Sequence, residues 1–159
     1  MYTERSRLSS ESQHAAPAVA AASPPVSTSA GIRKHLSPEL KLLDARLVST
    51  LDSDVTLVRS IAEYIVSAGG KRLRPVLVFL SAQALGADSR SPLLVDLAAT
   101  VELIHTATLL HDDVVDESDL RRGRATANAQ FGNAASVLVG DFLYSRAFQV
   151  MVGTGKMRV

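Results

Sequence analysis

The sequence contains no cysteine and no tryptophan, and only 4% of its residues are aromatic. Without cysteine, a disulfide scaffold, a thiolate metal site and a cysteine nucleophile are all excluded. The low aromatic content argues against a β-sandwich and is typical of a helical protein rich in Ala, Leu and Val. An excess of one charge is also missing, since 17 Lys+Arg face 16 Asp+Glu. A nucleic-acid or anionic-membrane partner would therefore need a local basic patch.

The 159 residues, 47% of them apolar, suit one ordinary domain or part of a larger one. The first 36 differ from the rest, because most positions from Glu11 to Ala30 are Ala, Ser or Pro. Such a stretch buries too little apolar surface to offset the entropy of ordering it. We therefore expect residues 1–36 to form a disordered tail rather than a secretory or mitochondrial leader. Residues 37–159 are expected to form the folded part.

Apolar periodicity and capping residues predict five helices and no strand in residues 37–159. These helices are expected to begin near Ser37, Asp54, Pro75, Ser91 and Asn133. The predicted buried positions of the first two helices include Leu43, Leu47, Leu51, Leu57 and Ile61. The last two helices are long and apolar enough to suggest a membrane span, but Asp96, Glu102 and Asp141 interrupt them. We expect no transmembrane segment and a soluble, cytoplasmic protein.

Five acidic residues follow the fourth predicted helix at close spacing, namely Asp112, Asp113, Asp116, Glu117 and Asp119. The helix dipole disfavours anions at a helix C-terminus, and Asp112 and Asp116 would repel each other one turn apart. A hard divalent cation reverses both effects, and carboxylates with retained waters suit Mg²⁺. The run therefore indicates either a Mg²⁺ site or a solvated acidic turn.

Two basic clusters lie on either side of this helix in the sequence. The segment Gly69–Pro75 combines glycines, which allow a tight turn, with Lys71 and Arg74 near a helix start. The segment Arg121–Arg124 directly follows the acids. Arg can bind phosphate oxygens bidentately and Lys contributes a point charge, so both clusters suit a phosphate. Alone, each could equally be solvated charge in a connecting turn.

His105 lies two turns before Asp112 on the same helical stripe. A lone histidine on an apolar helix is more often a satisfied core residue. This stripe ends in carboxylates, however, which suggests that it lines a wet cavity. A metal-binding carboxylate pair beside two basic clusters indicates a diphosphate site.

Together the segments Gly69–Pro75, Glu102–Asp116 and Arg121–Gly123 resemble the trans-prenyltransferases, or polyprenyl diphosphate synthases. The similarity covers about residues 37–159 and is greatest to the bacterial long-chain branch, typified by octaprenyl diphosphate synthase. It implies an all-α, isoprenoid-synthase-type helical bundle around a central cavity, of which this chain holds about the first five long helices. The activity implied is condensation of isopentenyl diphosphate with an allylic diphosphate, giving a long all-trans polyprenyl diphosphate that serves as a quinone side-chain precursor.

The resemblance also implies roles for individual residues. The motif Asp112-Asp113-x-x-Asp116 would be catalytic, with Asp112 and Asp116 holding Mg²⁺ on the allylic diphosphate. The positions matching isopentenyl diphosphate contacts are Lys71, Arg74, His105 and Arg122, and Arg121 matches a contact to the allylic diphosphate. The complete enzyme would be a homodimer that releases its product at a membrane surface and does not bind nucleic acid.

Product length follows from the same resemblance. A large aromatic just before the first aspartate-rich motif blocks the tunnel in short-chain members of the family. Here the fifth and fourth residues before Asp112 are Ala107 and Thr108, both small, so we expect an open tunnel, long products and shorter ones after Ala107→Phe.

One family feature is missing from this chain. Members carry a second aspartate-rich motif on a later helix, whereas the only acid after Asp119 is Asp141. We therefore expect the chain to be the N-terminal portion of a synthase and to be inactive alone. The alternative is a catalytically inactive helical protein that docks on a full synthase subunit or holds Mg²⁺-diphosphate without turnover. A second aspartate-rich motif downstream of Val159 in the gene would favour the enzyme.

Overall fold

The computed structural model describes residues 29–67 and 70–156, and these residues form seven α-helices and one short β-hairpin. In chain order the elements are α1 (Ser29–His35), α2 (Ser37–Thr50), α3 (Thr56–Ser67), α4 (Leu73–Ala84), α5 (Pro92–Val115), β1 (Leu120–Arg121), β2 (Arg124–Ala125), α6 (Ala127–Phe131) and α7 (Asn133–Gly153). Five of them, α2 to α5 and α7, are the five predicted helices, so the all-α prediction is confirmed.

Local capping explains where the longest helix begins. The Ser91 hydroxyl accepts a hydrogen bond from the Leu94 amide at 3.4 Å, and Pro92 occupies the first turn of α5. Proline is tolerated there because the first amides of a helix have no partner within it. The predicted start of this helix is confirmed.

The boundary expected between residues 36 and 37 is not where helical structure begins. Helix α1 starts at Ser29, and the Leu36 amide donates to the Ile32 carbonyl at 2.9 Å. Ser37 is consequently not a helix cap; Leu36 holds that position, and its side chain is fully buried. Burial of the Leu36 side chain stabilises α1 against the rest of the protein. The Ala/Ser/Pro composition of the preceding residues does not indicate this stabilisation. The predicted tail otherwise falls on residues 1–28, which lie outside the described residues.

The expected absence of strands is also wrong at one place. Strands β1 and β2 pair antiparallel across the two-residue turn Arg122-Gly123. Both turn residues have positive φ, 52° and 77°, which is the geometry of a type I′ hairpin. Gly123, at the second position of the turn, is the residue in this sequence that indicates a hairpin. It lies among three arginines, and the prediction for this segment considered only their charge.

The core is centred on α5, which packs on α2, α4 and α7. Small residues allow the close approach of these helices: Ala98, Ala99 and Ala107 of α5 are fully buried, as is Ala147 of α7. The predicted core positions Leu43, Leu47, Leu51 and Ile61 are confirmed. Leu57 is not part of the core, since it is 52% exposed at the start of α3.

By length and composition, α5 could cross a membrane, and it is the one such helix among the described residues. About 44% of its most apolar window is buried inside the protein. Its packing against four other helices, α2, α4, α6 and α7, supplies a reason for this apolar character, since a central helix needs apolar residues on several faces.

Candidate diphosphate site

A cavity of about 640 Å³ lies between the end of α3, the turn before α4, the C-terminal half of α5 and the β-hairpin. Its basic lining residues are Lys71, Arg72, Arg74, His105, Arg121, Arg122 and Arg124. Two acids, Glu102 and Asp113, also reach it. The two basic clusters that are distant in sequence therefore meet in one cavity, together with His105.

The turn before α4 brings Lys71 and Arg74 to this cavity. Arg72 adopts a left-handed conformation, with φ of 48°, immediately before the helix. Its guanidinium turns inward, where it binds Glu102 at 2.8 Å and lies 3.6 Å from Asp44. Lys71 and Arg74, on either side of Arg72 in the sequence, are exposed and line the cavity.

The hairpin supplies the opposite wall. Arg121 binds the buried carboxylate of Asp113 through Nη2 at 2.7 Å and Nε at 2.8 Å. Arg122 reaches across the cavity toward the other cluster, since a Cβ placed on Gly70 would lie 3.0 Å from its Nη1. A side chain at position 70 would therefore require this guanidinium to shift, which is a reason for glycine distinct from the tight turn expected from sequence.

The electrostatic field inside the cavity is positive. Burial lowers the pKa of His105, and the charge of Arg74 lowers it further; Arg122 and Arg121 contribute less, and Glu102 acts in the opposite direction. The imidazole is therefore neutral at neutral pH in the absence of an anion.

The pKa of Arg121 is raised, first by its hydrogen bond with Asp113. Burial opposes this rise, and the charges of Asp113, Asp112 and Asp116 support it.

The three aspartates of the acidic motif occupy different environments. Asp112 and Asp116 are exposed at the end of α5 and are not among the described residues that line the cavity. Asp113 is 4% exposed and lies between them, facing inward onto Arg121. Within the described part of the chain, no group of three or more His, Cys, Asp or Glu side chains could hold a metal by itself.

A second, open groove of about 490 Å³ lies between α4 and α5. Apolar side chains dominate its walls, including Leu77, Val78, Val101 and Ile104. Thr108 also lines it, whereas Ala107 is fully buried in the core. Of the two residues predicted to form the tunnel wall, the structure places one at an apolar groove and the other outside it.

Sequence reasoning gave no individual role to four residues of the site. Tyr64 donates a hydrogen bond from its hydroxyl to the Ala125 carbonyl at 2.8 Å, and the Arg124 guanidinium lies 4.8 Å from its ring centre. Arg72 and Glu102 form the buried pair under the first basic cluster. Tyr64 gave no indication in sequence, because its partners are about sixty positions away.

The amino-acid sequence of this chain is similar to those of known proteins. Residues 55–159 match the family model described as polyprenyl synthetase. The chain is 58% identical to the octaprenyl diphosphate synthase of Escherichia coli, over 80% of this chain and 39% of that protein. It is 47% identical to an all-trans-nonaprenyl-diphosphate synthase of Rhodobacter capsulatus, over 77% of this chain and 37% of that protein. The chain thus spans about two fifths of the length of these relatives.

Solved structures agree with this similarity. A polyprenyl synthase from Caulobacter crescentus, complexed with calcium and isoprenyl diphosphate, matches with a TM-score of 0.78 at 44% identity, over 82% of this chain and 39% of that one. A decaprenyl diphosphate synthase from Rhodobacter capsulatus matches with a TM-score of 0.76 at 46% identity, over 82% and 40% of the two chains.

Proposed function

The chain belongs to the polyprenyl synthetase family, and on that premise we propose that it is the N-terminal part of a trans-prenyltransferase. The reaction would join isopentenyl diphosphate to an allylic diphosphate and yield a long all-trans polyprenyl diphosphate, a precursor of quinone side chains. The observation that carries the proposal is the single cavity that collects Lys71, Arg74, His105, Arg121 and Arg122.

These residues suit the binding and orientation of diphosphate. Lys71 and Arg74 come from the turn before α4, and Arg122 comes from the hairpin, so an anion between them would be held from two sides. Arg121 is oriented by Asp113, which leaves its position fixed before a ligand arrives. Neutral His105 can donate one hydrogen bond to a phosphate oxygen without adding to the repulsion among the cations.

The donor set of Asp112 and Asp116 fits Mg²⁺ bound jointly with a diphosphate. Two exposed carboxylates are too few to enclose a metal, but Mg²⁺ is usually held by one or two carboxylates, substrate phosphates and water. Asp113 would contribute indirectly, since its carboxylate is already bound to Arg121. When bound, Mg²⁺ would neutralise charge on the departing diphosphate.

In the proposed reaction the allylic C–O bond breaks, and the diphosphate leaves with the electron pair. The double bond of isopentenyl diphosphate then attacks the allylic carbon, and loss of one proton restores neutrality and leaves a trans double bond. The protein would hold two diphosphates and exclude water. The apolar groove beside Ile104 and Thr108 suits the growing tail.

Three further assignments accompany the proposal. Exposed Leu138 and Val152 on α7 suit burial against another subunit in a homodimer. An apolar product suits release at a membrane surface. We also propose a cytoplasmic location; the packing of α5 on α2, α4, α6 and α7 accounts for its apolar character without a membrane.

The proposal is tested by calorimetric titration with isopentenyl diphosphate. We expect Arg74→Ala and Arg122→Ala to weaken binding by about tenfold or more, because each removes a charge-assisted contact. Arg90→Ala is the matched control, since Arg90 is exposed in the turn before α5, outside the cavity lining. Equal affinities of all variants and the wild type would contradict the proposed site.

A second candidate is a protein that holds Mg²⁺-diphosphate or docks on a full synthase subunit without turnover. The observation favouring it is the exposure of large apolar side chains on two helices, among them Leu77 at 63% and Leu138 at 66%. Both candidates predict binding without condensation by residues 1–159. A second aspartate-rich motif encoded downstream of Val159 would therefore favour the enzyme over this candidate.

A further inference from the structure

Helix α1 lies outside residues 55–159, which match the family model, yet it contacts the turn that carries Lys71. The Arg33 guanidinium donates a hydrogen bond from Nη1 to the Lys71 carbonyl at 2.8 Å. The two residues are far apart in sequence, and Lys71 lines the cavity of the candidate diphosphate site.

Arg33 is delivered to this point by a docked helix. Ile32 packs against the core, and Leu36 at the end of α1 is fully buried. The His35 ring lies 3.0 Å from the Gln83 side-chain oxygen, which ties α1 to α4. These contacts flank Arg33 on both sides in the sequence, so this part of α1 is held beside the turn.

The carbonyl that Arg33 binds belongs to the peptide bond preceding Arg72. Rotation about the next backbone bond sets φ of Arg72, which is 48° and thus in a region that residues with a Cβ rarely adopt. Holding this carbonyl therefore supports the left-handed conformation from outside, while the Glu102 pair holds the Arg72 side chain from inside. The direction in which Lys71 leaves the backbone depends on both restraints.

We propose that Arg33 is a positioning residue for diphosphate binding, acting through the Lys71–Arg72 peptide rather than by touching the ligand. The inference rests on the proposed function for the identity of the ligand. Its structural half, the fixing of the turn by α1, is independent of any ligand and can be measured separately.

The test compares Arg33→Ala with Lys34→Ala, which removes the same charge from the next, exposed position of α1. Amide hydrogen exchange is measured first, without ligand. The reporter is the Val76 amide, which donates a hydrogen bond to the Arg72 carbonyl at 3.0 Å and so depends on the conformation of the turn. We expect its exchange to accelerate by about three- to tenfold in Arg33→Ala and to remain unchanged in Lys34→Ala. Unchanged exchange in Arg33→Ala would overturn the inference.

Binding of inorganic pyrophosphate with Mg²⁺ is then measured on the same proteins. We expect Arg33→Ala to raise Kd by about three- to tenfold, Lys34→Ala to leave it unchanged, and Arg33→Lys to recover part of the loss. Adding Arg33→Ala to Lys71→Ala should cause no further weakening, because the effect passes through Lys71.

The outcomes separate the two proposals. Wild-type protein that fails to bind pyrophosphate would refute the proposed function and this inference with it. Wild-type binding that Lys71→Ala weakens and Arg33→Ala leaves intact would refute the inference alone. Additive losses in the double variant would also refute it, since Arg33 would then act by another route.

Discussion

Asp112, Asp113 and Asp116 belong to one acidic run, but their surroundings separate them into two groups. Asp113 faces inward and binds Arg121, whereas the other two carboxylates are exposed at the end of α5. A helix turns by about 100° per residue, so adjacent aspartates cannot share an environment. The expected placement of Asp112 and Asp116 on one face follows from this geometry, and so does the inward direction of Asp113.

Asp112→Asn and Asp116→Asn should each weaken Mg²⁺-dependent pyrophosphate binding strongly while changing the thermal midpoint little. Their carboxylates are exposed, so the folded protein loses no buried contact. Calorimetry in the presence and absence of Mg²⁺, with a thermal melt of each variant, makes the measurement. Equal loss of affinity and stability would mean that these acids are structural.

Two variants serve as controls for this comparison. Asp119→Asn changes another exposed acid of the same run and should alter neither property. Asp113→Asn should instead destabilise the fold, by about 1–3 kcal/mol, because it leaves part of the Arg121 hydrogen bonding unmet in a buried setting.

His105 should make stability depend on pH. Its ordinary pKa is 6.5, and burial together with Arg74 lowers this pKa in the folded protein. Just below pH 6.5, His105 is therefore protonated more often in the unfolded chain than in the folded one. Its contribution makes the free energy of unfolding fall as pH falls through that value. Thermal melts at decreasing pH should show a smaller loss for His105→Gln than for the wild type. Parallel losses would assign the acid sensitivity to other groups.

The contact between α5 and α7 depends on a missing side chain. A Cβ placed on Gly140 would lie 2.2 Å from Nε2 of His111, a distance that forces the ring to move. His111 also lies 3.4 Å from Asp141 and stacks beside Tyr144 at 5.9 Å between ring centres. A side chain at position 140 would therefore displace this ring and disturb its contacts with Asp141 and Tyr144.

Gly140→Ala should destabilise the protein by about 1–3 kcal/mol through overpacking, although alanine favours a helix. Gly153→Ala is the matched control, since Gly153 ends the same helix and a Cβ there meets nothing within 4 Å. It should be neutral or stabilising by up to about 1 kcal/mol. Chemical denaturation measures both changes, and a Gly140→Ala protein as stable as the wild type would contradict this account of the interface.

Considered as a whole, the molecule separates a charged compartment from an apolar one. Arg74 and His105 line both the basic cavity between α5 and the hairpin and the groove between α4 and α5, so they form the boundary between the two. A ligand with an anionic head and an apolar tail fits this division.

Ala107 is buried in the core, so Ala107→Phe would overpack it. The resulting loss of stability would obscure the expected shortening of the product.

Thr108→Phe is the variant that tests the groove. Thr108 is half-buried and lines the groove, so a phenyl ring there should occupy tail space with little disturbance of the core. We expect it to weaken binding of farnesyl diphosphate by about tenfold while leaving pyrophosphate binding unchanged, since burial of a few methylenes is lost. Equal effects on both ligands would show that the groove does not take the tail.

A polypeptide of residues 1–159 should bind diphosphates but form no longer prenyl product. It carries one aspartate-rich motif, and leaves large apolar side chains such as Leu138 and Val152 exposed. An open apolar groove also gives water access to any cation that formed. Incubation with radiolabelled isopentenyl diphosphate, farnesyl diphosphate and Mg²⁺ checks this expectation. Steady product formation would show that one motif is sufficient.

Local sequence was enough to predict the five main helices and the segments that form the cavity. Apolar spacing and Ser91-Pro92 act within one or two helical turns, so their consequences can be worked out without the fold. The same local reasoning predicts a diphosphate site at the basic clusters and the acidic run, because their charges are unfavourable without a ligand.

The tertiary structure was needed wherever a residue's role depends on a partner distant in the chain. Tyr64 meets the hairpin, Arg72 pairs with Glu102, and Arg33 binds the Lys71 carbonyl only because packed helices bring them together. The same packing turned Asp113 and Ala107 inward beside neighbours that face the cavity and the groove. Burial is a property of assembled helices, and no spacing rule within a single helix contains it.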